Sequence, residues 1–314
     1  MSPLRTGAGP APPTTPLEQT FIDALDLQTA LEALATGGPD LKVLAGGTDL
    51  MVQYLRGDIR PAGLLHVRRI PELRHRSLGE RTVLGERTVL GALTTHRELV
   101  AAEELRRRHP ALAEAAATVG GRQTQNVGTI AGNVVNASPA ADLIPVLLVS
   151  DAHLTMQSLT ASREIAVADF VVGRRSTRIR PDELVTGLSL EPLPPMAGET
   201  YLKVGRRAAM EVAVVGLAAR LRFDNQGTVV DARIAVASVA PRAFRAEQAE
   251  RRLIGSSLDN AALAEAGQLI QAAAQPIDDA RATAAYRRRV LPGLLTRAVA
   301  ICRRRAFSEG EDAP

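Results

Sequence analysis

The chain has 314 residues, of which 46% are hydrophobic and 23% charged, enough apolar material for a core and for two domains. The net charge is only +4, aromatic residues make up 3%, and tryptophan is absent, which argues against stacking platforms for nucleic acid. One cysteine, and five histidines without metal-ligand spacing, argue against an iron–sulfur cluster or any other metal site in this chain.

The first 18 residues are rich in proline and have neither an apolar signal core nor a twin-arginine pair. We therefore expect residues 1–18 to be a disordered tail and the protein to be cytoplasmic. No apolar run reaches the roughly 18 residues that cross a bilayer, so no membrane span is expected.

Residues 19–70 are predicted to form a small α/β unit. Helical spacing over 27–35 ends at a Gly-Gly-Pro breaker, and a second, short helix is predicted over 49–55. Buried strands are predicted over 41–45 and 63–67.

The hexad GERTVL occurs twice in direct succession, over 79–84 and 85–90. Polar and apolar residues alternate through both copies, which is typical of strands, so the pair predicts a hairpin. We assign no function to it. Helical patterns follow over 97–108 and 111–117.

Two glycine-rich turns carry the main functional signal. The first is VLAGGTDL, residues 43–50, in which a glycine pair that can adopt positive φ precedes Thr48 and Asp49. The second lies within residues 120–145, where glycines expose backbone N–H groups beside neutral hydroxyl and amide side chains, those of Thr129, Asn133, Asn136 and Ser138. Neither turn matches the Rossmann or P-loop pattern. Each alone is compatible with a plain turn, but together they predict a clamp for a dinucleotide pyrophosphate.

A helix is predicted to start at Ser138, with serine as the N-cap and Pro139 in the first turn. Asp142 would then lie at the positive end of the helix. Pro145 would make this helix brief or kinked.

The C-terminal part is predicted to be a second domain, separated from the first by the proline-rich run 192–198. Strand-like runs over 212–223 and 229–240 are joined by Asp-Asn-Gln-Gly, which predicts a hairpin. Three helices are predicted to follow, over 243–253, 260–274 and 280–305.

The chain resembles the FAD-binding (medium) subunit of the molybdenum hydroxylases, the family of xanthine dehydrogenase and carbon monoxide dehydrogenase. The resemblance covers about residues 20–307, through VLAGGTDL, GALTTH, QNVGTIAGNVVNASPAADLIPVLL, RPDELVTGLSL, YLKVGRR and AAYRRRVLPGLLTRAV in that order. It implies an α+β fold with a vanillyl-alcohol-oxidase-type (PCMH-type) FAD-binding domain over 19–195, in two α/β subdomains of about 19–70 and 71–195. A C-terminal domain over 200–307, with a three-stranded antiparallel sheet and three helices, would follow.

The same resemblance implies the residues that hold a non-covalent FAD. The first turn would wrap the pyrophosphate through Val43, Leu44, Ala45, Gly46, Gly47, Thr48, Asp49 and Leu50. The second would complete the cradle through Gly128, Thr129, Ile130, Ala131, Gly132 and Asn133. Thr95 would add a hydroxyl or only cap a helix, while Val119 and Val185 would pack at the flavin. Asp142 would bind the adenosine ribose, and Lys203 would lie at the pyrimidine side of the flavin.

By resemblance, the chain is an oxidoreductase subunit with no catalytic side chain and no metal of its own. Its FAD would pass electrons from the [2Fe–2S] clusters of a small partner subunit to NAD or another acceptor, while a large molybdopterin subunit hydroxylates the substrate. We expect a dimer of heterotrimers and no nucleic-acid partner. Gln125 in place of the family's usual arginine favours the purine-oxidising class. A stand-alone flavin reductase of the same fold and a flavin-free scaffold are the alternatives.

Overall fold

The structure is a computed structural model that describes residues 20–82, 85–207 and 210–308, so the expected N-terminal tail lies outside the described residues. The first elements are β1 (Thr20–Asp23), α1 (Leu27–Gly37), a 3-10 turn (Gly38–Asp40), β2 (Leu41–Leu44), α2 (Leu50–Leu55) and β3 (Gly63–His66). Their strands form a parallel sheet in the order β1-β3-β2, so the predicted α/β character of this region is confirmed.

Helix α1 begins and ends as its sequence predicts. The Asp26 carboxylate accepts a hydrogen bond from the Thr29 backbone N–H at 2.8 Å, and Gly38 ends the helix with a φ of 62°. Leu31 and Leu34 on one face of the helix pack with Leu65 of β3 in a small core of their own.

The middle of the chain contains an antiparallel sheet and most of the helices. Its elements are a 3-10 turn (Pro71–Arg74), β4 (Arg76–Thr82), β5 (Gly85–Gly91), α3 (His96–Ala101), α4 (Glu103–Arg108), α5 (Pro110–Thr118), α6 (Arg122–Val127), α7 (Ile130–Asn136), α8 (Leu143–Val149), β6 (His153–Gln157), β7 (Ser162–Ala166), α9 (Val167–Phe170), β8 (Val171–Gly173), β9 (Ser176–Thr177) and β10 (Leu184–Leu190). The sheet order is β4-β5-β10-β6-β7.

The tandem hexad forms an antiparallel hairpin, as predicted. β4 holds residues 79–82 of the first copy, β5 holds the second copy, and Thr82 pairs with Gly85. Residues 83 and 84 lie outside the described residues.

The helix predicted to start at Ser138 starts instead at Leu143. Ser138 opens a separate turn, in which its carbonyl accepts from the Ala141 N–H at 3.0 Å. Asp142 is therefore the N-cap residue of α8, although its side chain makes no capping hydrogen bond. Pro145 falls in the first turn of the helix, where its missing N–H breaks no hydrogen bond.

The C-terminal part consists of β11 (Ala197–Val204), β12 (Val215–Phe223), β13 (Val229–Ala237), β14 (Phe244–Arg245), α10 (Glu247–Leu253), α11 (Asn260–Ala273) and α12 (Ala284–Phe307). The sheet order is β11-β12-β13-β14, with three long strands where three were predicted. The fourth strand was missed because two residues are too short to show alternation. The three predicted helices are confirmed.

A buried ion pair fastens the C-terminal sheet to the preceding helices. Arg220 and Glu199 are 2% and 0% exposed, with Arg220 Nη2 2.6 Å from Glu199 Oε2. Arg220 also donates to Ser150 Oγ at 3.1 Å, and Glu199 accepts from the Ala111 N–H at 3.2 Å. None of the described helices is long and apolar enough to cross a membrane.

Candidate functional site

The two glycine-rich turns meet in the structure. A Cβ built on Gly46, in the first turn, would lie 1.9 Å from the carbonyl oxygen of Val127, which directly precedes the second turn. Gly47 has a φ of 70°, in the left-handed region that favours glycine. Only a residue without a side chain fits at Gly46, so this glycine is what lets the two turns approach each other.

Backbone contacts with the GALTTH segment hold the second turn in place. The His96 backbone N–H donates to the Gly128 carbonyl at 3.1 Å, and Thr95 forms a β-bridge with Thr129. The Thr129 hydroxyl in turn accepts from the Gly132 N–H at 3.1 Å and caps α7. The turn is thus fixed before any ligand binds.

A cavity of about 480 Å³ lies between the two turns, within the size range of cofactor sites. Most of the predicted cofactor-binding residues line it: Val43, Ala45, Gly46, Gly47, Thr48, Asp49, Leu50, Val119, Gly128, Thr129, Ala131, Gly132, Asn133, Asp142 and Val185. Their role in binding stays a prediction, but the fold brings them around one space.

Four of the predicted residues do not line this cavity: Leu44, Thr95, Ile130 and Lys203. Leu44 lies between two lining residues, and successive side chains of an extended segment point to opposite sides. Ile130 is fully buried in the core. The Thr95 hydroxyl accepts from the Glu98 N–H at 3.2 Å and donates to the Glu98 carboxylate at 2.7 Å, so it is engaged in a complete capping box.

The capping role of Thr95 gives a first testable prediction. Replacing Thr95 with alanine is expected to lower the free energy of unfolding by about 1 kcal/mol, because a helix N-cap is lost. FAD affinity, measured by titrating the flavin-free chain, should stay the same. A large loss of FAD affinity at unchanged stability would instead support a direct contact with the cofactor.

Lys203 does not line the cavity itself but forms an ion pair with Asp142, which does. Its ammonium group lies 2.9 Å from one Asp142 carboxylate oxygen, and the Tyr201 hydroxyl donates to the other at 2.6 Å. Burial raises the pKa of Asp142, and the nearby Lys203 and Tyr201 oppose that rise without cancelling it. The Tyr201 hydroxyl is itself buried, which raises its pKa well above the ordinary value and keeps it a donor.

This contact bears on the two roles that the resemblance implied for Asp142 and Lys203, and both roles stay predictions. An extended FAD holds its adenosine ribose far from its flavin pyrimidine ring. The two side chains are within hydrogen-bond distance of each other, so they cannot serve opposite ends of one extended cofactor.

Several residues that line the cavity have no role predicted from the sequence, among them His96, Gln53 and Glu211. Gln53 of α2 donates to the Asn136 side chain of α7 at 3.4 Å and so links the helices that follow the two turns. The buried Glu211 carboxylate is paired with Arg206 at 2.9 Å. His96 was visible in GALTTH, but the other two carry no motif that could have identified them.

The chemistry of the lining fits a dinucleotide such as FAD. Within the described part of the chain no lysine or arginine lines the cavity, so a pyrophosphate would be held by backbone N–H groups and neutral side chains. Thr48, Thr129 and Asn133 supply such side chains at the two turns. Val119 and Val185 add apolar walls suited to a flat ring.

Gln125 has a structural role in the structure. Its side-chain amide donates to the backbone carbonyls of Ala117 and Val119 at 3.0 and 3.1 Å and ties α5 to α6. Gln125 does not line the cavity, so the geometry does not support the prediction of a purine-oxidising enzyme that was made from this residue.

Comparison with known families gives two matches that together span most of the chain. Residues 17–193 match the FAD binding domain in molybdopterin dehydrogenase, and residues 200–301 match the CO dehydrogenase flavoprotein C-terminal domain. The first of these covers more than half of the 314 residues.

Three similar proteins show how far this likeness extends. The 6-hydroxypseudooxynicotine dehydrogenase complex subunit alpha of Paenarthrobacter nicotinovorans is 32% identical over 286 residues, covering 91% of this chain and 95% of that protein. The putative xanthine dehydrogenase FAD-binding subunit of Escherichia coli strain K12 is 31% identical over 233 residues, with 74% and 78% covered.

A solved structure of reconstituted CO dehydrogenase from Oligotropha carboxidovorans matches with a TM-score of 0.87 at 28% identity, covering 92% of this chain and 99% of that one. The three relatives are named for three different substrates at similar identity, so the likeness selects none of them. The two family matches describe an FAD binding domain and a CO dehydrogenase flavoprotein C-terminal domain and name no substrate for this chain. The chain therefore belongs to the FAD-binding subunits of the molybdenum hydroxylases, a family of oxidoreductases whose cofactor in this subunit is FAD.

Proposed function

We propose that this chain is the electron-transfer flavoprotein of a three-subunit molybdenum hydroxylase in a dimer of heterotrimers. Its FAD would carry electrons from the [2Fe–2S] clusters of a small subunit to NAD or another acceptor, while a large molybdopterin subunit oxidises the substrate. The observation that carries the proposal is the cavity enclosed by two glycine-rich turns in a chain of this family. A cytoplasmic location is part of the proposal and rests on the sequence alone.

The two turns would hold the pyrophosphate. Gly46 and Gly47 allow the backbone to come close, and the Thr48 hydroxyl stands beside them. The second turn, from Thr129 to Asn133, supplies the Thr129 hydroxyl from the opposite side. This hydroxyl is already oriented because it accepts a hydrogen bond from the Gly132 N–H of α7. Preorganised, uncharged donors of this kind bind a phosphate without requiring a buried cation.

Asp142 and Lys203 would both serve the flavin end of the cofactor. Lys203 donates to the Thr118 carbonyl at 2.9 Å, next to Val119, the residue that the resemblance sets against the flavin. Asp142 lines the cavity, whereas Lys203 does not. Asp142 would therefore accept a hydrogen bond from the ring directly, and Lys203 would supply compensating positive charge behind it.

No side chain of this chain needs to act as acid, base or nucleophile, because the bound flavin supplies the electron and hydride chemistry itself. The task of the protein is to bind the cofactor, orient it and control access to it. The walls formed by Val119 and Val185 would hold the ring and keep water from it.

Isolation of the chain from its native cell tests the assembly. With an affinity tag on this chain, we expect two further subunits in equal amount, one containing molybdenum and one containing iron and labile sulfide. An FAD-loaded chain that purifies alone at native levels and reduces a substrate by itself would favour a stand-alone reductase.

The acceptor can be identified with the same complex. We expect NADH, added without oxygen, to bleach the visible flavin absorbance, because hydride transfer between NAD and a flavin is reversible. Bleaching by a reduced quinone but not by NADH would assign another acceptor. A flavin that responds to neither reagent would show that the acceptor is neither NAD nor a quinone.

A further inference from the structure

His96 is a cavity-lining side chain to which neither the motif nor the resemblance gives a role. It is the first residue of α3, directly after the capping residue Thr95, and its backbone is tied to Gly128 of the second turn. The residue is 3% exposed and lines the cavity between the turns. A polar ring this deeply buried normally has a hydrogen-bond partner.

Among the described residues the Nδ1 atom of His96 is fully buried and has no hydrogen-bond partner. Nε2, on the other side of the ring, is not one of the buried atoms that lack a partner. A Cβ built on Gly128 would be 3.2 Å from Nε2, which shows how close this nitrogen lies to the second turn.

The position of the single ring proton follows from these surroundings. Burial lowers the pKa of His96 to about 4, so the imidazole is neutral at physiological pH and carries one N–H. A buried N–H without an acceptor is rarer and more costly than a buried acceptor without a donor. The proton therefore belongs on Nε2 and not on the buried, unpartnered Nδ1.

We propose that His96 is a cofactor-binding residue whose Nε2–H donates a hydrogen bond to an oxygen of the FAD pyrophosphate at the second turn. The inference rests on the proposed function of the cavity and adds a side-chain donor beside its backbone donors. A neutral imidazole suits this buried position because it supplies a directed donor without the cost of burying a charge.

Two substitutions separate hydrogen bonding from packing. His96→Leu fills the space but removes the donor, whereas His96→Gln can present an amide N–H where Nε2 lies. We expect the Kd for FAD, measured by titrating the flavin-free chain, to rise at least about tenfold in His96→Leu, because a hydrogen bond to a charged group is lost. His96→Gln should stay close to the unmodified chain.

His109 offers a matched control. In the part of the chain that the structure describes, it is likewise fully buried with an unpartnered Nδ1, but it does not line the cavity. His109→Leu should therefore lower the melting temperature and leave the affinity for FAD unchanged. Thermal unfolding of each flavin-free variant shows whether it has folded.

Nitrogen NMR of histidine-labelled chain gives a readout that does not depend on folding stability. We expect the proton of His96 on Nε2 and a shift of that signal when FAD is added. Wild-type affinity in His96→Leu, equal losses in His96→Leu and His96→Gln, or a proton on Nδ1 would each overturn the inference. An unmodified chain that binds no FAD would instead refute the proposed function.

Discussion

Replacing Gly46 with alanine is expected to abolish FAD retention. The new Cβ would lie 1.9 Å from the carbonyl oxygen of Val127 and 2.5 Å from its carbonyl carbon. Both are backbone atoms, so no side chain can rotate to make room, and the two turns must move apart. Because the turns form the two sides of the cavity, a shift here removes the geometry that holds a pyrophosphate.

The same substitution should lower the free energy of unfolding by about 1–3 kcal/mol, the range for overpacking a well-packed site. FAD titration of the flavin-free chain and urea unfolding measure the two effects separately. Gly293→Ala in α12 is the matched control, since a Cβ there meets nothing within 4 Å and alanine favours a helix. A Gly46→Ala chain that purifies with a full complement of FAD would contradict the contact between the turns.

Lys203→Met should destabilise the flavin-free chain by about 3–5 kcal/mol, the usual penalty for leaving one member of a buried ion pair alone. The Lys203 and Asp142 side chains are only 10% and 8% exposed, and no other cation is within salt-bridge distance of Asp142 in the described part of the chain. The double variant Asp142→Asn/Lys203→Met should recover most of the loss, because it removes the uncompensated charge. Urea unfolding of the unmodified chain, the two single variants and the double variant measures the coupling free energy between the two side chains.

The penalty in Lys203→Met should depend on pH. Burial raises the pKa of Asp142 above its unfolded value, so the folded state favours the protonated acid. Protonation of Asp142 at low pH therefore removes the unpaired charge from Lys203→Met. The loss of stability relative to the unmodified chain grows as the pH rises through the folded pKa of Asp142. A deficit that is independent of pH, and that Asp142→Asn does not relieve, would rule out an unpaired carboxylate as its cause.

The sequence predicts the two turns because glycine pairs and flanking hydroxyl residues are local features. It does not predict the contact of Gly46 with Val127, since that contact is made only when the parallel sheet and the helices pack together. The pairing of Asp142 with Lys203 is missed for the same reason. Resemblance to a family implied each role separately, without the distance between the two side chains.

Local signals fail where tertiary contacts override them. Ser138 has the form of an N-cap, but the helix begins only at Leu143, after a turn that Ser138 itself opens. The two-residue strand Phe244–Arg245 forms by pairing with β13. This pairing cannot be predicted from the residues around Phe244 alone. His96 was in view within its motif, yet its importance rests on two ring nitrogens whose surroundings come from distant residues.

The flavin released by the purified chain tests the central claim most directly. The absorbance spectrum is recorded before and after acid precipitation, and the supernatant is compared with FAD and FMN standards. The account predicts a yellow protein that releases FAD into the supernatant and leaves a colourless pellet. A colourless protein that FAD cannot reconstitute, or flavin that stays in the pellet, would contradict a dissociable FAD held between the two turns.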